Sequence, residues 1–248
     1  MKLNEKQLNA IRNSISRNTL LLAGPGSGKS STLAERTKHL VNNLKVNEEN
    51  IMIITFTVKA ANELKEKIKN RIENYDKITI GTFHSICLNL IKKFKKDLNF
   101  EKISVLSTKE SGELLKKALI HEGEVSSTNA FNYYRSEISK LKGNLCVDAT
   151  TISSYDNYDQ CKFASIYNTY QKSLIKDFLV DYDDIILYAV NLLRTSKRAL
   201  EYCRKKFKYI MCDEVQDCNY AQFKFLQIIY EGNNLFLVGD ESQSIVRP

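Results

Sequence analysis

The stretch Ala23-Gly24-Pro25-Gly26-Ser27-Gly28-Lys29-Ser30 decides the fold class. It follows an apolar run at 19–22 and precedes a helical pattern that starts near Ser30. Glycines let the backbone fold around phosphate oxygens with its N–H groups pointing inward, and the start of a helix adds a partial positive charge. Lys29 can reach the β- and γ-phosphates, and the Ser30 hydroxyl can ligate Mg²⁺. The stretch therefore predicts a nucleoside-triphosphate site between a strand and a helix, without choosing a reaction.

Four more short apolar runs extend this strand–loop–helix pattern along the chain. Each is bounded by turn residues or by a helical pattern, and together they cover residues 51–56, 78–80, 207–212 and 235–238. Continuous apolar runs of this length are typical of buried parallel strands, which carry functional groups just past their carboxyl ends. The sequence therefore predicts an α/β fold with a mostly parallel sheet flanked by helices.

The middle of the chain departs from this rhythm. Residues 99–175 carry no net charge, are rich in Tyr, Ser and Asn, and show helical patterns at 112–121, 131–142 and 162–175. We interpret them as an all-helical subdomain inserted into a discontinuous α/β domain that is made of residues 1–98 and 176–248.

Composition excludes several classes of protein. The chain has 248 residues, of which 43% are apolar and 27% charged, so it can bury a large core and is not a disordered chain. The longest nearly unbroken apolar run, at 185–193, is far shorter than the ~20 residues that a membrane-spanning helix needs. No secretory signal is visible at the start. We therefore expect a cytoplasmic protein with no membrane partner. The six cysteines and three histidines show no zinc-ligand spacing.

The positive charge is concentrated in one part of the chain. Residues 1–98 carry 18 basic and 9 acidic side chains, whereas 99–175 carry 9 of each and 176–248 carry 10 and 11. A concentrated cationic surface attracts polyanions, of which nucleic acid is the usual one. A general lysine-rich bias explains the same numbers, so charge alone does not decide.

Acidic and amide side chains follow the last two predicted strands. Asp213 and Glu214 come directly after the strand at 207–212. Beside a phosphate loop, Asp213 can hold the Mg²⁺ shell and Glu214 can accept a proton from the water that attacks the γ-phosphate. Taken alone, this Asp-Glu pair is also typical of a solvated turn. After the last strand, Gln243 is placed to sense the γ-phosphate.

Several motifs in this order resemble those of the UvrD/Rep/PcrA-type superfamily 1 helicases, over nearly the whole first RecA-like domain. The matching stretches are Leu3-Asn4-Glu5-Lys6-Gln7 (Q motif), residues 23–30 (Walker A), Thr55-Phe56-Thr57-Val58-Lys59-Ala60-Ala61-Asn62-Glu63-Leu64 (motif Ia), Gly81-Thr82-Phe83-His84-Ser85 (motif Ib), Leu179-Val180-Asp181-Tyr182-Asp183-Asp184, Asp213-Glu214-Val215-Gln216 (motif II) and Gly239-Asp240-Glu241-Ser242-Gln243-Ser244-Ile245 (motif III).

The resemblance implies a RecA-like ATP-binding domain, with ATP and Mg²⁺ as cofactors, in a helicase that moves 3′→5′ on single-stranded DNA and acts at single-strand/duplex junctions. The implied catalytic residues are Lys29, Glu214 and Gln243, and the implied Mg²⁺ ligands are Ser30 and Asp213. The implied nucleotide contacts are Gln7 (to adenine), Ala23, Gly24, Pro25, Gly26, Ser27, Gly28, Lys29, Ser30, Ser31, Gln216 and Asp240. The implied DNA contacts are Thr55, Phe56, Thr57, Lys59, Thr82, Phe83, His84 and Ser85. For two of these residues an alternative stays open. Phe56 can be a core aromatic at a strand end, and His84 can make a local hydrogen bond that fixes the loop.

The sequence also departs from the family pattern. The family usually has Asn at the position of Val58, and it continues after motif III with aromatics where this chain has Val246-Arg247-Pro248. The second RecA-like domain, with its arginine fingers, is absent from these residues. We therefore expect the chain to be the amino-terminal part of a longer helicase, with the carboxyl-terminal remainder as its partner and no unwinding by the chain alone. A non-hydrolytic nucleotide- or nucleic-acid-binding scaffold and a helicase–nuclease of the AddA/RecB kind stay open as alternatives.

Overall fold

A computed structural model describes residues 4–13, 18–24, 26–124, 127–145 and 158–240. Its helices and strands form two compact units. The first unit comprises residues 1–86, 197–218 and 226–248, and the second comprises residues 87–196 and 219–225. The domain boundaries expected from the sequence, at 98/99 and 175/176, stay a prediction.

Seven strands occur in the described ranges. They are β1 Thr19–Leu22, β2 Ile51–Thr55, β3 Thr79–Thr82, β4 Ser104–Val105, β5 Leu179–Val180, β6 Tyr209–Cys212 and β7 Asn234–Gly239. Five of them form one parallel sheet in the order β1-β7-β6-β2-β3. The predicted α/β class with a parallel sheet is therefore confirmed, and the five predicted apolar runs are its strands.

Ten α-helices accompany these strands in the same ranges. They are α1 Glu5–Arg12, α2 Lys29–Lys38, α3 Val58–Lys69, α4 Phe83–Lys93, α5 Thr108–His121, α6 Thr128–Gly143, α7 Tyr158–Lys176, α8 Tyr182–Thr195, α9 Lys197–Lys206 and α10 Tyr220–Tyr230. None of the helices that the structure describes is long and apolar enough to cross a membrane.

The core of the first unit lies on the central strand. Ile51 to Ile54 of β2 are fully buried, and Ile51 and Ile53 pack with Leu33 of α2, Leu64 of α3 and Phe236 of β7. Since β2 has neighbours on both edges and helices over its side chains, it reads as an unbroken apolar run rather than an alternating one.

The second unit is mainly helical, with one short parallel pair that the sequence did not predict. Its core is formed by α5, α6 and α7 through residues such as Leu119, Ile138 and Tyr167. Strands β4 and β5 pair beside it. Helices α5 and α6 begin three to four residues earlier than their apolar patterns indicate. The side chains of Ser107 and Ser127 cap their first turns by accepting backbone N–H groups.

A buried ionic cluster lies inside the second unit. Lys142 of α6, which is fully buried, donates to Asp181 Oδ2 at 2.6 Å and lies 2.8 Å from Asp184 Oδ1. Tyr170 donates to Asp181 and Gln171 to Asp184. Burial raises the pKa of Asp184 to about 6, because desolvation outweighs the attraction of Lys142. Lys142 thus compensates two carboxylates that have little access to water.

Lys142→Met is expected to lower the free energy of unfolding at pH 7.5 by about 3–5 kcal/mol, since it leaves both carboxylates uncompensated. Lys140→Met, on the same helix in an exposed pair with Glu137, should change it by no more than about 0.5 kcal/mol. Urea unfolding of the two variants measures the contrast, and equal losses would show that the cluster does not stabilise the unit.

The nucleotide site and its neighbouring strand ends

The phosphate loop is held in place at both ends by backbone hydrogen bonds. Ala23 N donates to Gly239 O of β7 at 2.9 Å, and Thr32 N donates to Gly28 O at 2.9 Å. Gly28, the residue before α2, has a φ of 87°, a conformation that glycine adopts without the steric cost of a Cβ atom. This conformation turns the chain into the helix, whose first turn contains no acidic side chain.

Helix α1 supports the loop from the other side. Gln7 Nε2 donates to Ser27 O at 2.7 Å, while Asn4 and Gln7 cap the start of α1 reciprocally. The buried guanidinium of Arg36 in α2 donates to the carbonyls of Ile11 and Asn13 at the end of α1, and burial lowers its pKa. In this structure the predicted adenine contact, Gln7, therefore binds the phosphate loop.

Lys29 connects the loop to residues far away in the sequence. Its Nζ donates to Glu214 Oε2 at 2.8 Å, across 185 positions, and lies 3.9 Å from Asp240 Oδ2. The parallel sheet explains this proximity, because β1, β6 and β7 are neighbours and their carboxyl ends meet at one edge. The ammonium group of Lys29 therefore lies close to carboxylates from two other strand ends.

Asp213 belongs to the same cluster. Glu214 N donates to Asp213 Oδ1 at 3.0 Å. Burial raises the pKa of Asp213 to about 6, the negative charge of Glu214 adds to the rise, and the charges of Lys29 and Lys67 oppose it. A buried carboxylate with a raised pKa beside a second carboxylate is a strong candidate to receive a cation.

Glu214 has an unusual backbone conformation. Its φ of 49° and ψ of 45° place it in the left-handed region, which non-glycine residues seldom occupy. Gln216 holds it there from the following 3₁₀ turn, Val215–Asp217, by donating to Glu214 Oε2 at 2.8 Å and accepting from Asp240 N at 3.0 Å. This amide links the carboxylate directly to the end of β7, a network that the sequence alone does not reveal.

The site fits a magnesium-bound triphosphate. The Ser27 hydroxyl is buried without a hydrogen-bond partner among the described residues, and a Cβ atom added at Gly24 or Gly26 would meet no atom beyond the neighbouring residues within 4 Å. No group of three or more His, Cys, Asp or Glu side chains suited to a metal occurs in the described ranges. Mg²⁺ at such sites needs only one or two protein carboxylates, because phosphates and water supply the rest. Pro25 and Gln243 lie outside the described residues.

The predicted DNA-contact residues lie at the ends of two neighbouring strands. Thr55 of β2 and Thr82 of β3 are partners in the parallel register. Thr57 caps α3 by accepting from Ala60 N, and Thr82 accepts from Ser85 N at the start of α4. Two helix starts therefore lie side by side at the same edge of the sheet, where their N–H groups favour anions.

The side chains in this second group differ in exposure. Lys59 and Ser85 are exposed and Phe56 is half-buried, whereas Thr55 and Phe83 are buried. Phe83 packs edge-on against Phe56, with 5.7 Å between ring centroids, so it supports Phe56 rather than offering a face of its own. Burial lowers the pKa of His84 to about 4, so this ring is neutral at physiological pH.

A backbone contact joins the two groups. Asp213 N donates to Ile54 O at 3.0 Å, one residue before Thr55. The nucleotide site and the β2 end are therefore parts of one continuous edge of the sheet.

A phosphate loop, an Asp-Glu pair with a buried Asp, and a parallel sheet together define a P-loop nucleoside triphosphatase fold with a RecA-like arrangement. Comparison with known families places the chain within this class: residues 3–247 match the UvrD/REP helicase N-terminal domain. The chain therefore belongs to the UvrD/REP helicase family, as its motifs indicated.

Individual relatives agree with this assignment. The chain is 32% identical over 229 residues to the ATP-dependent DNA helicase PcrA of Staphylococcus aureus strain Mu50, covering 91% of this chain and 31% of that protein. It is 31% identical over 246 residues to the PcrA of Staphylococcus epidermidis strain ATCC 35984, covering 98% of this chain and 34% of that protein. The chain thus spans about a third of the length of these curated relatives.

Asp213→Asn is expected to raise the thermal unfolding temperature at pH 7.5 without ligands, by an amount equivalent to about 1–3 kcal/mol. The folded protein keeps the Asp213 pKa near 6, above its unfolded value, so folding is penalised when the group is ionised and the penalty fades as the pH falls from 6 towards 4.

The difference from wild type should therefore shrink at pH 4.5. Asp217→Asn, an exposed acid in the same segment, is the matched control and should be neutral. A lower unfolding temperature for Asp213→Asn at pH 7.5 would contradict the raised pKa.

Proposed function

We propose that this chain is the ATP-binding part of an ATP-dependent DNA helicase that translocates 3′→5′ on single-stranded DNA. The observation that carries the proposal is the 2.8 Å contact of Lys29 with Glu214, with Asp213 adjacent. This is the set of charges that binding and hydrolysis of a magnesium–triphosphate require. Membership in the UvrD/REP family and the PcrA relatives support the same reading.

The proposed roles follow from the contacts. Ser30 and Asp213 would hold Mg²⁺, which neutralises negative charge on the phosphates when it is bound. Lys29 leaves Glu214 and binds phosphate oxygens instead. Glu214, released from this ion pair, accepts a proton from water, and its left-handed backbone keeps the carboxylate directed into the site. Gln216 responds when Glu214 loses its ion pair with Lys29, because the Gln216 side chain contacts both Glu214 and the end of β7.

The same edge of the sheet supports a route from nucleotide to DNA. The Asp213–Ile54 hydrogen bond connects the acidic cluster to the strand that carries Thr55 and Phe56. Phe56 offers a stacking face for a base, and Lys59 and Ser85 contact the sugar–phosphate backbone of the DNA. The cationic excess of residues 1–98 fits a single-stranded polyanion.

The 248 residues alone are proposed to bind nucleotide weakly and not to unwind DNA. In related phosphoryl-transfer enzymes, an arginine finger from a facing domain contributes about 10³–10⁵ in rate. The resemblance assigns these arginines to a second RecA-like domain, whereas residues 3–247 match the N-terminal domain. Robust DNA-stimulated ATP turnover by the 248-residue chain would refute this part of the proposal.

Lys29→Ala is expected to weaken binding of a fluorescent ATP analogue with Mg²⁺ by roughly 10- to 100-fold, because it removes a charge-assisted contact to phosphate. Lys38→Ala, on an exposed position of the same helix, should stay within about twofold of wild type. Fluorescence titration measures both. Equal affinity of the two variants would show that Lys29 does not contact the nucleotide and would contradict the proposed site.

Phe56→Ala is expected to weaken binding of a single-stranded oligonucleotide by about 1–3 kcal/mol, the range for loss of one stacked base. Val58→Ala, two residues away and 67% exposed, provides the control and should have little effect. Fluorescence anisotropy at several salt concentrations measures affinity and its salt slope. A salt-independent affinity, or equal values for both variants, would rule out this strand-end surface as the DNA track.

A further inference from the structure

Two cysteines enclose the Asp-Glu segment of the candidate site. Cys212 is the last residue of β6, and Cys218 directly follows the 3₁₀ turn Val215–Asp217. The two thiols hydrogen-bond to each other, and Cys212 Sγ also contacts the carbonyl of Asp213 at 3.5 Å. The five residues between them include Asp213, Glu214 and Gln216. The two thiols therefore lie at the two ends of the segment 213–217.

The two thiols differ in access to solvent. Cys212 is fully buried, whereas Cys218 is half-buried. A small molecule from solution therefore reaches Cys218 first. Cys212 is then the neighbouring thiol that can react with a mixed disulfide formed on Cys218. An accessible thiol beside a second thiol is the spatial arrangement found in two-cysteine redox sites.

A bond between these sulfurs would change the loop that lies between them. A disulfide joins two sulfurs at about 2.05 Å, which is closer than two sulfurs that are not covalently bonded. The turn that would have to adjust is held by Asp217 N→Glu214 O at 3.0 Å and Cys218 N→Val215 O at 3.2 Å. Any contraction is therefore transmitted to Glu214, whose left-handed backbone tolerates little change.

We propose that Cys212 and Cys218 form a redox-modification site, in which a low-molecular-weight disulfide of the glutathione type converts the pair to an intramolecular disulfide and thereby weakens binding of the magnesium–nucleotide. The first half of this proposal concerns the thiols alone. The second half, the effect on nucleotide, rests on the proposed function.

The reaction balances as two thiol–disulfide exchanges. The Cys218 sulfur attacks one sulfur of the small disulfide, breaks its S–S bond and releases one small thiol, which leaves Cys218 in a mixed disulfide. The Cys212 sulfur then attacks the Cys218 sulfur and releases the second small thiol. The protein loses two electrons and two protons, and the small disulfide gains them.

Peptide mapping after treatment with oxidised glutathione tests the site directly. Cleavage after Lys208 and Lys224 yields the peptide 209–224, which contains Cys212 and Cys218 and no other cysteine. With remaining free thiols alkylated, we expect this peptide to appear unalkylated and about 2 Da lighter, the mass of two hydrogens lost on disulfide formation. The exposed Cys161 serves as an internal control and should carry bound glutathione instead.

Two variants distinguish the roles of the thiols. Cys212→Ser should leave Cys218 as a mixed disulfide with glutathione, since the second exchange is lost. Cys218→Ser should leave Cys212 unmodified, since the accessible thiol is lost. If peptide 209–224 of the wild type keeps two free thiols when Cys161 is already modified, or stops at the mixed disulfide, the site is refuted.

Binding of the fluorescent ATP analogue to reduced and oxidised protein tests the regulatory half. Oxidation should lower the affinity by about tenfold or more, dithiothreitol should restore it, and Cys218→Ser should not respond. A disulfide that forms without changing the affinity would refute the regulation and keep the site. Reduced protein that binds no nucleotide would refute the proposed function and the regulation together, while the mass change would still decide the thiol site.

Discussion

The ion pair between Lys29 and Glu214 is the interaction on which the candidate site depends. It forms because β1, β6 and β7 are neighbours in a parallel sheet, so side chains 185 positions apart leave the sheet at the same edge. Asp213 and Asp240 add further negative charge around one ammonium group. Buried carboxylates are costly unless a cation compensates them, so the sheet order gathers groups that fit the proposed Mg²⁺ site.

The surroundings of this pair give it several connections to the rest of the first unit. Gln7 binds the phosphate loop from α1, Gln216 joins Glu214 to the end of β7, and Asp213 is tied to β2 beside Thr55. Each connection is a hydrogen bond at or beside the carboxyl end of a strand. These bonds connect the candidate nucleotide site with both the loop and the strand ends where DNA contacts are proposed.

Much of this arrangement could be predicted from local sequence. The five sheet strands and the phosphate loop follow from short apolar runs and glycine spacing, which report local structure. The strand order, the Lys29–Glu214 pair and the burial of Phe83 depend on non-local pairing, which local patterns do not encode. The burial of Lys142 was not predicted, although the sequence carries a signal for it. Lys142 follows Tyr134 and Ile138 at spacings of four residues, which places all three on the buried face of α6.

A crystal structure of the chain with Mg²⁺ and a non-hydrolysable ATP analogue tests the central claim most directly. We predict that Lys29 moves from Glu214 to phosphate oxygens, and that Asp213 lies in the coordination shell of a metal whose oxygen ligands are at about 2.0–2.1 Å. A structure in which the nucleotide binds elsewhere, with Lys29 still paired to Glu214, would contradict it.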